Sequence, residues 1–107
     1  MFYILSLKWT RTYDPFFTWW GPDNKGYYFS LESSGKYTEK QVNEHKKYYD
    51  DREDTVAIPV EVVEAFAVDG DKPKWENLKG KKVVKRTNRK FREIVKSYAP
   101  NWKGPRP

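Results

Sequence analysis

Nine basic side chains crowd one short stretch of this chain: Lys79, Lys81, Lys82, Lys85, Arg86, Arg89, Lys90, Arg92 and Lys96. Ammonium and guanidinium groups at this density suit contact with phosphate oxygens, which gives affinity without base specificity. Within the stretch, Phe91, Ile94, Val95 and Tyr98 recur at i, i+3, i+4 and i+7, the spacing of a helix that buries one face. Arg89, Arg92, Glu93 and Lys96 then project from the opposite face. Any amphipathic helix in water needs a charged outer face. Only the excess of cations over acids therefore points to a polyanion.

The net charge is +6, but its distribution says more. From Lys72 to the end there are 13 basic residues and two acids, Glu76 and Glu93, a net +11, whereas Met1 to Asp71 carries −5. An acidic body joined to a basic segment is the electrostatic footprint of a protein that meets an anionic partner. The competing explanation is internal pairing with the acidic stretch Asp50-Asp51-Arg52-Glu53-Asp54. Complete pairing there would still leave positive charge in surplus.

Trp19, Trp20, Tyr27 and Tyr28 are the second candidate group. Neighbours on a strand point to opposite faces, so one residue of each pair must face outward or meet a covering helix. An outward aromatic can stack on a base or serve a protein interface. Catalytic chemistry has little to work with. His45 is the sole histidine, cysteine is absent, and no hydroxyl is spaced beside a base as nucleophilic catalysis requires. The acidic stretch lacks the alternating ligands and central glycine of a calcium loop, and reads as a solvated turn. Gly21, Gly26 and Gly35 match neither a phosphate loop nor a dinucleotide fingerprint, and read as turn glycines. The expectation is a non-enzyme with no cofactor and no metal.

The elements that would position these residues follow from patterning. Phe2 to Thr10 alternates, with Tyr3, Leu5, Leu7 and Trp9 on one better-buried side, and predicts a strand rather than a signal peptide. Phe16 to Trp20 and Tyr27 to Leu31 flank the turn formers Gly21 to Gly26, so the first third reads as a three-stranded antiparallel meander. Thr38 with Gln41 is a capping box opening a surface helix to about Tyr49. Thr55 to Ile58 is a short extended segment, and Pro59 suits the first turn of a second helix carrying Val60, Val63, Glu64 and Ala67 along one side. Asp69 to Pro73 is a loop. Lys81 to Arg86 adds a possible strand, Thr87 or Asn88 caps the last helix, and Asn101 to Pro107 reads as a loose tail. With 18% aromatic residues the core should be aromatic rather than aliphatic.

The stretch Phe17-Thr18-Trp19-Trp20-Gly21-Pro22-Asp23-Asn24-Lys25-Gly26-Tyr27-Tyr28-Phe29-Ser30-Leu31-Glu32-Ser33-Ser34-Gly35-Lys36-Tyr37-Thr38, followed by Val56-Ala57-Ile58-Pro59-Val60, resembles a pattern in small uncharacterised bacteriophage and prophage proteins. The shared features are a Trp, a Pro, Gly-Tyr, a Leu, a Gly and Tyr-Thr before a helix. The resemblance covers under half the chain and implies origin rather than activity: accessory factors that bind host machinery or blunt host defences. It assigns no site residues. The whole reading is a single α+β domain over 1–107: a small antiparallel sheet with two to three helices, an acidic body to residue 71 and a basic segment from residue 72. The expected partner is nucleic acid or a nucleoprotein complex in the cytoplasm, with no membrane. The alternatives are an inhibitor of a host protein and a sponge for an anionic nucleotide.

Overall fold

A computed structural model describes residues 1–70 and 77–107. Strand β1, Phe2–Ser6, lies at the centre of a four-stranded antiparallel sheet with β2, Trp19–Trp20, β3, Tyr27–Tyr28, and β4, Thr55–Pro59, in the order β3-β2-β1-β4. The meander read from the sequence is therefore present, with β4 added along the other side of β1. Its strands are shorter than the alternation suggested. At the end of β1 the Thr10 N–H donates to the Ser6 carbonyl and the Trp9 N–H to Ser6 Oγ, so the chain turns. Trp9 swings out of the Tyr3, Leu5, Leu7 row and stands 41% exposed.

The remaining elements are α1, Glu39–Glu44, α2, Lys46–Tyr49, α3, Val60–Glu64, β5, Val68–Asp69, β6, Lys82–Val83, and α4, Arg89–Tyr98. Both arms of the capping box form: Gln41 N–H donates to Thr38 Oγ1 and Thr38 N–H to Gln41 Oε1. The single helix expected to Tyr49 instead breaks at His45, whose φ −137° and ψ 50° are not helical. That break lets Tyr48 and Tyr49 bring their rings to 5.0 and 5.8 Å from Trp20. The segment expected as a strand over Lys81 to Arg86 contributes only Lys82–Val83. It joins Val68–Asp69 in a separate two-stranded sheet, so part of the predicted Asp69 to Pro73 loop is strand. Asp71, Lys72 and Pro73 of that loop lie outside the described residues.

β1 is buried on both faces, not on one. Tyr3, Leu5 and Leu7 join Phe17, Trp19, Val56, Ile58, Val63, Phe91, Val95 and Trp102 in the larger core. Ile4 joins Trp20, Tyr37, Val42, Tyr49 and Ala57 on the other side, under α1 and α2. The core is aromatic, as composition implied, and it draws on the acidic body and the basic segment alike. The tail expected to be loose is docked. Trp102 is buried, the Arg106 N–H donates to the Thr10 carbonyl, and the Thr12 N–H donates to the Arg106 carbonyl.

Candidate anion-binding groove

Asn88 starts α4 by accepting the Phe91 N–H on its side chain at 3.0 Å, which satisfies one of the unpaired donors of the first turn. Phe91 and Val95 are fully buried and fix the rotation of the helix; Ile94 and Tyr98 are half-buried beside them. Arg89, Arg92 and Lys96 consequently line one outer strip. After Tyr98 the chain doubles back: the Ala99 N–H donates to the Val95 carbonyl, and Trp102 enters the core. Gly104 then adopts φ +96°, where a Cβ would lie 3.1 Å from Arg92 Nη2. A side chain would be strained there and would crowd the guanidinium.

The returning tail and the helix enclose a groove of about 470 Å³ lined by Thr87, Arg89, Arg92, Glu93, Lys96, Trp102, Lys103 and Gly104. Its far wall, Trp102 to Gly104, is shared with a second recess that reaches Arg52 and Arg106. The Arg92 guanidinium stands over the Trp102 ring, 5.8 Å from its centroid. Such a contact holds the cation in place while leaving its N–H donors available. Among the described residues, none of Arg89, Arg92, Lys96 and Lys103 forms an ion pair. Glu93 is the one acid of the lining. Four cations gathered around one concavity suit an anion with several oxygens.

The other basic residues of the candidate list divide differently. Lys82 pairs with Asp69 at 2.7 Å, and that carboxylate raises the lysine pKa. Arg86 is half-buried and donates through Nε to the Asp14 carbonyl at 2.6 Å, tying the segment to the N-terminal loop. Lys79, Lys85 and Lys90 are exposed and Lys81 half-buried, and none of them lines the groove. Among the described residues, ion pairing of the basic segment with the acidic stretch reduces to Arg106 with Asp54 at 3.0 Å. Sequence reasoning missed Lys103 and Trp102, which it assigned to the loose tail. A tryptophan set among prolines and glycines is the signal that could have found them, because so large an apolar surface is costly to leave in water.

Trp19 is fully buried and Trp20 nearly so, which removes both from the stacking candidates; Tyr27 and Tyr28 are both exposed. Trp19 faces the larger core and Trp20 meets a covering helix, one of the two outcomes open to such a pair. A mixed-charge recess of about 620 Å³ lies elsewhere, lined in part by Tyr3, Glu32, Lys36, Glu64 and Lys82. Burial, followed by its hydrogen bond to Glu64, pushes the Tyr3 phenol well above its usual range. With two carboxylates facing two ammonium groups it favours no sign of ligand. In the acidic stretch, burial opposes ionisation of Asp51. The N–H groups of Thr55, Glu53 and Asp54 together outweigh it and hold the carboxyl below its usual range. That residue closes a turn. Among the described residues no cluster of three or more His, Cys, Asp or Glu could hold a metal, and no helix is long and apolar enough to cross a membrane. Compared with known families, curated proteins and solved structures, the chain matches none.

Proposed function

We propose that this chain is a non-enzymatic binding protein for an anionic partner, nucleic acid foremost, and that α4 and the tail make the contact. The observation that carries the reading is the gathering of Arg89, Arg92, Lys96 and Lys103 around one groove with no ion pairs among the described residues. Phosphate oxygens would replace water around these groups and release counterions, so affinity falls as salt rises. The phage resemblance adds a setting, in which such a factor engages a host nucleic acid or nucleoprotein complex and antagonises a defence system.

The test is fluorescence anisotropy on unrelated oligonucleotides at two salt concentrations. Replacing Arg89, Arg92 and Lys96 with Gln weakens binding about equally on every sequence, and each lost phosphate contact lowers the salt slope by about one. Arg89 and Lys96 are exposed, so their replacement leaves the thermal midpoint near that of the parent, whereas Arg92 is half-buried over Trp102 and its replacement lowers the midpoint modestly. Absence of salt-sensitive binding at about 10⁻⁴–10⁻⁶ M, the usual non-specific range, sinks the proposal. Nuclease-resistant retention of a host protein would then favour direct inhibition of that protein.

A further inference from the structure

A second recess, of about 250 Å³, is lined by Trp9, Asp14, Thr18, Tyr27, Tyr28 and Phe29. Both tyrosines of the edge strand β3 line it, reaching it from different sides. Tyr27 pairs with Trp20 and Tyr28 with Trp19, so the two tyrosines point to opposite faces of the sheet. Tyr28 lies over the turn, where a Cβ on Gly21 would come within 2.5 Å of its ring. Tyr27 instead turns toward Trp9, with ring centroids 6.1 Å apart. The pair stands 53% and 41% exposed, although rings of this size are usually among the more buried side chains.

Cations border these rings. The Arg11 guanidinium lies over the Trp9 ring, 4.8 Å from its centroid, and donates through Nη1 to the Pro107 carbonyl; the Lys8 ammonium is 5.6 Å from the same centroid, and Arg86 holds the Asp14 carbonyl. Asp14 is the single acid in the lining. An aromatic platform flanked by cations is the arrangement that takes a planar ring joined to a phosphate. The recess is smaller than the about 300–1,000 Å³ that encloses a drug-sized ligand, so it admits one ring system rather than a peptide helix.

We propose that the Trp9–Tyr27 recess receives an unpaired base of single-stranded nucleic acid, with Lys8 on a flanking phosphate and Arg11 holding the Trp9 ring in place. The inference rests on the polyanion reading above and narrows it, because a base inside a duplex has both faces stacked and cannot enter. Sequence preference should be weak, since every base has a stacking face.

Anisotropy with labelled oligothymidylate, an abasic strand of equal length and a duplex separates stacking from charge. The abasic strand keeps the phosphates and lacks the bases. Oligothymidylate should bind more tightly than either of the others. Tyr27→Ala should weaken it by about 5- to 150-fold while leaving the abasic strand unchanged, and Trp9→Ala should act in the same direction. Equal affinity of the parent protein for thymidylate and abasic strands overturns the inference and leaves the groove reading standing. So does preference for the duplex, or an equal loss on both strands in Tyr27→Ala. Silence toward all three ligands overturns both. Because the first comparison uses only the parent protein, it holds even if a variant folds poorly.

Discussion

The two faces of the central sheet are covered by unlike means. On one, α4 lays Phe91 and Val95 onto Phe17 and Trp19, with Phe17 and Phe91 ring centroids 5.1 Å apart, and the tail adds Trp102. On the other, α1 and α2 contribute only Val42 and Tyr49 as buried side chains, and local hydrogen bonds hold the segment in place. Those bonds are the Thr38–Gln41 capping box, the Ala57 N–H on Asp50, and the three N–H groups gathered by Asp51. One cover is held by apolar burial and the other by hydrogen bonds that include charged acceptors. The difference matters for function. A helix held by its apolar face leaves its outer face open to cations, whereas the turn after α2 commits its carboxylates to backbone N–H groups.

The comparison breaks most readily at the two apolar anchors. Phe91→Ala should cost about 3–5 kcal/mol through lost transfer energy and the cavity left behind. Val42→Ala, losing about two methylene equivalents, should cost about 1.5 kcal/mol. Urea denaturation of the pair measures both, and equal costs would mean that the covers are equivalent. Ile94→Ala should fall below the about 2–5 kcal/mol of a fully buried isoleucine, since Ile94 is only half-buried. A value at the top of that range would place more of the core beneath α4 than the packing shows.

Acid should separate the covers more sharply. The folded pKa of Asp51 is depressed, so its contribution is fully present above the ordinary carboxylate value of about 3.9 and disappears as pH falls through the lower folded value. Asp51→Ala should cost about 1 kcal/mol at neutral pH after screening at this exposed site, and progressively less as pH falls through the depressed folded value. Hydrogen exchange on descending pH should accordingly open the α2–β4 turn before α4. Uniform opening would erase the distinction between burial and charged acceptors. The smallest effect belongs to His45→Ala. The ring is exposed, and the variant should stay within about 0.5 kcal/mol of the parent and bind its partner as before. Loss of biological effect with the fold intact would overturn the non-enzymatic reading.

Much of this was legible in the residues. The meander, the capping box at Thr38 and the amphipathic stripe of α4 are local patterns, set by alternation, by side-chain reach to nearby N–H groups and by helical periodicity. The cationic outer strip Arg89, Arg92 and Lys96 follows from that stripe, because burying Phe91 and Val95 leaves those positions outward whatever the partner helix or sheet. Composition likewise determined that the core would be built from rings.

What needed the tertiary structure was every choice between equivalent faces and every contact between distant segments. Alternation told that Trp19 and Trp20 diverge, but only the arrival of α2 buries Trp20. The same alternation placed Trp9 with Leu7, and the turn at Ser6 removed it to the surface beside Tyr27. Charge counting could not distinguish Lys82, held by Asp69, from Lys96, which lines the groove, since pairing depends on which chains lie adjacent. Nor could it bring Lys103 across to α4. A return of the tail through Trp102 is a long-range packing event, and its energy comes from apolar area removed from water by partners far away in the chain. Local sequence sets which faces a segment has; what covers each face is decided only when the whole chain competes for the same buried space.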